Sequence, residues 1–428
     1  MKLSLRHTRL IRLQSYRWRR RALFIAGGVA VGLTATALAY IADFTQLESR
    51  KFLNAWPYAA LVVTPLGFGL SVFLTRRLFP NSQGSGIPQA IAARTLKTWE
   101  ERHKLVSLRI AFGKILLTTL GLLVGASTGR EGPTVQVGAS IMFALGRVSV
   151  RRQPGLILAG AAAGVAAAFN TPLAGIVFGI EEMSRSFETR TSGLIIGTIV
   201  AAGLVAMALL GNYTYFGTSD AMLASATDWI AVPLIGAIGG LAGGLFSRLI
   251  VFVSTGVPGR IGGWIKRFPV AFAMTCGLAV AICGLLSGGS VYGTGYNEAK
   301  AALHGASTLP PGFGLLKLVA TALSSMSGIP GGLFSPSLAV GAGLGAEIAS
   351  YLPGMPTGAL VLLGMVSYFT GVVQAPITAF VIVSEMTGDH GMLVPLMLAA
   401  LIAQTTSRMV CREGVYHALA KNFTRSTV

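Results

Sequence analysis

Apolar residues run through this chain in long blocks, not in the i, i+3, i+4 stripe of a surface helix or the alternation of a half-buried strand. The blocks cover residues 22–42, 56–74, then about 105–126, 134–146, 155–183, 192–211, 229–253, 268–287, 313–327, 333–349, 357–383 and 391–411. About 20 apolar residues cross a bilayer as a helix. Several blocks are shorter than that, and others are too long for one helix. They predict broken and re-entrant helices, whose polar backbone at membrane depth must be buried in protein or line an aqueous path. The pattern therefore predicts an all-α polytopic membrane protein with a transport path.

Composition sharpens this picture. Of 428 residues, 53% are hydrophobic and 11% charged, against roughly 25% charged in soluble domains, which excludes a water-soluble globular enzyme. The 55 glycines and 18 prolines lie inside apolar blocks, where small residues let helices approach closely. A net charge of +19 would suit a nucleic-acid partner, but the basic residues sit at the chain ends and between blocks, where charge sets topology. No nucleic-acid partner is expected. Residues 1–21 hold eight Lys or Arg and no acid, interleaved with Leu, Ile and Trp18, and are read as an interfacial cationic helix on the cytoplasmic face. Arg76 and Arg77 fit a return to that side. A cleaved signal peptide ending at Ala37-Leu38-Ala39 is the rival reading, countered by the full spanning length of 22–42. Cys276, Cys283 and Cys411 lack metal-ligand spacing and are read as small packing residues, so no metal or cofactor is expected.

The two halves of the chain repeat. Gly129-Arg-Glu-Gly-Pro133 aligns with Gly332-Leu-Phe-Ser-Pro336 at an offset of 203, which also takes Lys114 to Lys317 and Thr118 to Thr321. An offset of 204 takes Gly160 to Gly364, Pro172 to Pro376 and Glu181 to Glu385, and one of 209 takes Gly84-Ser-Gly86 to Gly293-Thr-Gly295. Two repeats with interrupted apolar segments at matching places mark a secondary transporter with its site between them. The expected division is 1–21 basic segment, 22–212 first repeat, 213–411 second repeat and 412–428 short cytoplasmic tail.

Three motifs share one physical logic: Gly84-Ser85-Gly86-Ile87-Pro88, Gly129-Arg130-Glu131-Gly132-Pro133 and Gly332-Leu333-Phe334-Ser335-Pro336. Glycine allows a tight turn, and proline suits the first helical turn. Each motif predicts a helix N-terminus, whose unpaired N–H groups attract an anion. Three such ends together would hold an anion without a full cationic charge. Glu131, placed at one of them, would be stabilised by the same N–H groups and so exchange with the anion. A structural ion pair with Arg130 is the alternative, disfavoured because adjacent helical residues do not face each other. Glu181-Glu182 closes an apolar stretch, and intramembrane carboxylates are functional candidates. Glu385 is read as structural.

In this order, GSGIP, GREGP and GGLFSP resemble the signature segments of the CLC family of chloride channels and proton-coupled chloride transporters, over roughly residues 22–420. The resemblance implies two inverted-topology repeats per subunit and a homodimer with two pores. It implies that Ser85 and Tyr416 offer hydroxyls to a central chloride and that backbone amides around Leu333 and Phe334 complete the site. By the same likeness Glu131 is the gating glutamate and Glu182 the inner proton-transfer glutamate, whose presence favours exchange over a channel. Proline in place of Ser85 goes with nitrate transport in the family. Gln89 and Ile91 stand where some relatives carry acids, which leaves the partner of Lys114 open. A short, bacterial-type protein without a nucleotide-binding CBS pair is expected, in the inner membrane with its N-terminus cytoplasmic.

The implied function is chloride transport by exchange with protons across the lipid bilayer, with a passive chloride channel as the alternative. Gly125-Ala126-Ser127-Thr128-Gly129 formally matches the G-x-S-x-G nucleophile pattern, so an intramembrane serine hydrolase is a remote alternative. It needs a base within reach, and His7, His103, His304, His390 and His417 fall at loops or block ends. Gly236, Gly240 and Gly244 repeat on one helix face and are read as a packing surface.

Overall fold

The computed structural model describes residues 2–146, 150–184, 192–211, 213–305 and 309–425. They form nineteen α-helices, one π-helical turn and short 3-10 turns, with no strand among the described residues. Among the described residues, seven helical segments are long and apolar enough to cross a membrane. The basic segment and the first apolar block form one helix, Lys2–Ala55, with no break at position 21. The side chains of residues 2–13 fall outside the described residues, and with them the interfacial placement expected of most of the basic segment.

The over-long blocks break as their length demands. Block 155–183 becomes Gln153–Phe169 and Pro172–Phe178, followed by the π-helical Gly179–Ser184. Block 357–383 becomes Thr357–Val373 and Pro376–Thr387. Both breaks have one cause. Asn170 and Gln374 end their helices in the left-handed region, at φ of 56° and 60°, and a proline two residues later starts the next helix while keeping its predecessor extended.

The two repeats meet through reciprocal contacts, as a two-fold relation between them requires. Gly129 and Gly332, equivalent by the 203-residue offset, exchange two backbone hydrogen bonds of 2.8 and 2.7 Å in an antiparallel bridge. Equivalent residues that bond each other lie on a two-fold axis. From that bridge helices Glu131–Leu145 and Phe334–Ser350 start N-terminus against N-terminus. Each packs on the next helix of its own repeat through a glycine pair: a Cβ on Gly138 or Gly160 would run into the other's carbonyl, and the same is true of Gly341 and Gly364. The stripe Gly236, Gly240 and Gly244 abuts Ile402, Ala403 and Ser407 on helix Leu393–Val410, so it is a packing surface.

Buried charges repeat the symmetry. Lys114 is fully buried and donates to the carbonyls of Ser82 and Gly84 at 2.6 and 2.7 Å, while Lys317 donates to those of Val291 and Gly293, both at 2.8 Å. The partner of Lys114 is thus the turn before helix Ile87–Thr95, held by carbonyls in place of a carboxylate. Gln89 steadies that turn through the Gln83 carbonyl at 2.6 Å. Glu385 accepts from the backbone N–H groups of Leu173 and Ala174, and Glu181 accepts from those of Ile377 and Thr378. Each carboxylate caps the short helix of the other repeat, which accounts for Glu385 as structural and gives Glu181 the same work.

Candidate functional site

All three motifs open helices. Ile87–Thr95 starts after Gly86, Glu131–Leu145 after Arg130, and Phe334–Ser350 after Leu333. Pro88, Pro133 and Pro336 fall in the first turns, where the first N–H groups have no carbonyl partner in their own helix. The three ends converge. A Cβ on Gly132 would overlap the Ser85 hydroxyl and lie 3.2 Å from the Gly332 Cα. Gly86 takes a φ of 96°, which brings its turn against Gln136 of the neighbouring helix. The turn is tied to the second repeat by Gly84 N–H to the Ile329 carbonyl and Gly331 N–H to the Gly84 carbonyl, at 3.1 and 3.0 Å.

Glu131 is the first residue of its helix and fully buried. One carboxylate oxygen accepts from the Ser335 hydroxyl at 2.6 Å, and the other lies against Gly129 with no hydrogen-bond partner in the protein. Arg130 turns away, paired with Asp43 at 2.5 Å and the Ala39 carbonyl at 2.6 Å. The alternative of a Glu131–Arg130 ion pair is therefore replaced by an Arg130–Asp43 pair.

Tyr416 begins the last helix, Val415–Arg425, and is fully buried, its ring stacked on Phe334 at 6.1 Å. Its phenol lies close to Ser85 and within electrostatic reach of both Glu182 and Glu131. The Tyr416 and Ser85 hydroxyls lie near each other, but neither makes a hydrogen bond of good geometry to a protein atom. A buried polar group left unpaired costs about 1–3 kcal/mol, so two such hydroxyls beside helix N-termini fit an anion acceptor. Leu333 and Phe334 are buried at the same helix start.

Glu182 lies on the π-helical turn Gly179–Ser184, a local geometry common at functional sites. It is buried, with His417 Nε2 at 3.5 Å from its Oε1. Phe169 and Phe178, which end the two helices before this turn, are fully buried, and each makes ring contact with Phe334 at the anion-side helix start.

Two separate vestibules flank helix Val415–Arg425. One, of about 600 Å3, is lined by Ser85, Gln89, Arg76 and Lys266. The other, of about 630 Å3, is lined by Glu182, His417, Arg408 and Arg412.

Residues 60–408 match the family described as "Voltage gated chloride channel". The chain belongs to that family. Over 92% of its length it is 31% identical to the H(+)/Cl(-) exchange transporter ClcA of Yersinia pseudotuberculosis, of which it covers 85%. It is 30% identical to the ClcA of Citrobacter koseri, covering 86% of that relative. In fold it is similar to a slow cyanobacterial Cl-/H+ antiporter, with a TM-score of 0.80 at 23% identity over 95% of this chain and 98% of the other. A CLC-type fluoride/proton antiporter gives 0.79 at 24% identity, over 94% and 97%.

Sequence reasoning missed two contacts in this family member. Ser335 was visible only as part of a helix start, and its bond to Glu131 spans 204 residues. His417 read as one histidine among several at block ends. The serine-nucleophile alternative also ends here: Ser127 is buried, with its hydroxyl 2.9 Å from the Thr321 hydroxyl.

Proposed function

We propose that this protein exchanges chloride for protons across the membrane. The observation that carries the reading is the pair of separate vestibules, one reaching the Ser85 hydroxyl and the other the buried Glu182. A passive pore needs only the first. Chloride is bound by Ser85, Tyr416 and the amides at Leu333 and Phe334, and Glu131 is the gate, occupying the anion's place when charged and carrying a proton when neutral. Glu182 passes protons to and from the cytoplasm. Arg76, Lys266, Arg408 and Arg412 around the vestibules support a cytoplasmic side there by the positive-inside rule, and with it a cytoplasmic N-terminus in an inner membrane. A homodimer with one pore per subunit, and repeats bounded at 22–212 and 213–411, are part of the same proposal, supported by the family likeness.

The deciding experiment is the reversal potential of purified protein in lipid vesicles under opposed chloride and pH gradients. Exchange predicts a value that moves with the proton gradient and chloride-driven proton uptake. A value set by chloride alone overturns the reading in favour of a channel.

Ser335→Ala tests the seat of the gate. A hydrogen bond to a charged group contributes about 1.5–3 kcal/mol, and it stabilises only the seated carboxylate. Its loss lets chloride displace Glu131 more readily, so half-saturating chloride should fall about tenfold, the equivalent of about 1.4 kcal/mol, with coupling retained. The chloride dependence of flux reads this directly.

A further inference from the structure

We infer that His417 relays protons between the cytoplasmic vestibule and Glu182, one turn of helix carrying an anion ligand, Tyr416, and a proton carrier side by side. The inference rests on the reading of Glu182 as the proton-transfer glutamate and extends that route to its mouth.

Geometry and chemistry both select this residue. His417 Nε2 stands 3.5 Å from Glu182 Oε1, the histidine 16% and the glutamate 3% exposed, and His417 also lines the water-accessible vestibule. Among the described residues, the other charged groups lining this vestibule are committed. Glu181 accepts two backbone N–H groups of helix Pro376–Thr387. Glu413 is paired with Lys421 at 2.5 Å. Arg408 and Arg412 stay charged at every physiological pH, and Tyr416 faces the anion site. Among the described lining residues, imidazole is the group whose ordinary range spans neutral pH, and it has two nitrogens, so it can take a proton at one and release it at the other.

The step balances without a further reactant. Neutral His417 with its proton on Nε2 accepts a proton at Nδ1 from hydronium in the vestibule, which leaves as water. The imidazolium then gives its Nε2 proton to the Glu182 carboxylate, producing neutral Glu182 and the other neutral tautomer of His417. A tautomer exchange through vestibule water restores the start, and outward transfer runs the same steps in reverse.

The test compares His417→Ala, His417→Gln and Glu182→Gln in vesicles, with chloride flux in each variant reporting folded protein. Chloride-driven proton uptake should fall about a hundredfold in both histidine variants, the scale of losing one positioned acid–base group. Imidazole on both sides of the membrane should restore it in His417→Ala, where it fills the space left, and not in Glu182→Gln, which controls for passive proton movement. The dependence of proton flux on cytoplasmic-side pH in the near-neutral range should vanish in His417→Gln. Wild-type proton flux in both histidine variants overturns the relay, as does loss without imidazole rescue, which would mean that His417 only positions Glu182. If Glu182→Gln itself keeps proton flux, the underlying assignment of Glu182 fails. If it alone abolishes proton flux, that assignment stands and the relay falls.

Discussion

Glu131→Ala should bring chloride-driven proton uptake to background while chloride continues to pass. Three features of the structure lead there. Glu131 starts its helix, so its carboxylate sits where the unpaired N–H groups and the positive end of the dipole favour negative charge. It is fully buried beside the Ser85 hydroxyl and the Gly129–Gly332 bridge, the contact point of both repeats. Its hold is a single side-chain hydrogen bond, from Ser335, because Arg130 is engaged by Asp43. A charge held by N–H groups and one hydroxyl can be displaced by chloride, which takes the same donors. A charge locked to a guanidinium would not yield, since breaking a buried pair costs about 3–5 kcal/mol. On the proposed reading, removing the carboxylate removes both the competitor and the proton carrier. The Ala variant should therefore show a reversal potential set by chloride alone, and Glu131→Gln, which keeps the size but loses the charge, should behave alike. Full proton uptake in the Ala variant would show that Glu131 is not the gate.

Much of this architecture is legible in the chain because its breaks are written in local backbone chemistry. Glycine, asparagine and proline constrain φ at the residue where they stand, so the motif starts at Pro88, Pro133 and Pro336 could be placed from sequence, as could the repeat offset that pairs Gly129 with Gly332. What stayed hidden is every contact between side chains far apart in the chain. The Ser335–Glu131 bond joins equivalent regions of the two repeats, and the exchange of caps by Glu181 and Glu385 spans 197 and 212 residues. Knowing the offset predicts that such contacts come in pairs, but not which atoms meet. Lys114 shows the limit most clearly. A buried lysine suggests a carboxylate partner, whereas the fold supplies carbonyls of a turn that precedes a glycine-opened helix, and no residue type announces a free carbonyl.

Glu182→Gln should abolish proton flux and spare chloride flux, and the reason lies in how the two routes part around helix Val415–Arg425. Ser85 stands in the vestibule on one side of that helix, Glu182 in the vestibule on the other. Tyr416 is on that helix, buried against Phe334. No ionisable side chain falls between Gln153 and Ile180, and Phe169 and Phe178 of that stretch are buried and pack on Phe334, so the stretch before Glu182 offers only an apolar gap. A proton crossing that gap needs transient water, so the crossing should be slow and should respond to the anion held at Ser85 and Tyr416. On the proposed reading chloride reaches its site by the other vestibule, where Ser85 stands, and has no need of the gap. Glutamine keeps the volume of Glu182, exchanges one acceptor oxygen for an NH2 donor and removes the charge and its titration, which separates the proton step from packing. Parallel chloride and proton flux assays on this variant decide the matter: loss of both fluxes would make Glu182 a structural carboxylate of the π-helical turn, and retention of both would place proton entry on another residue.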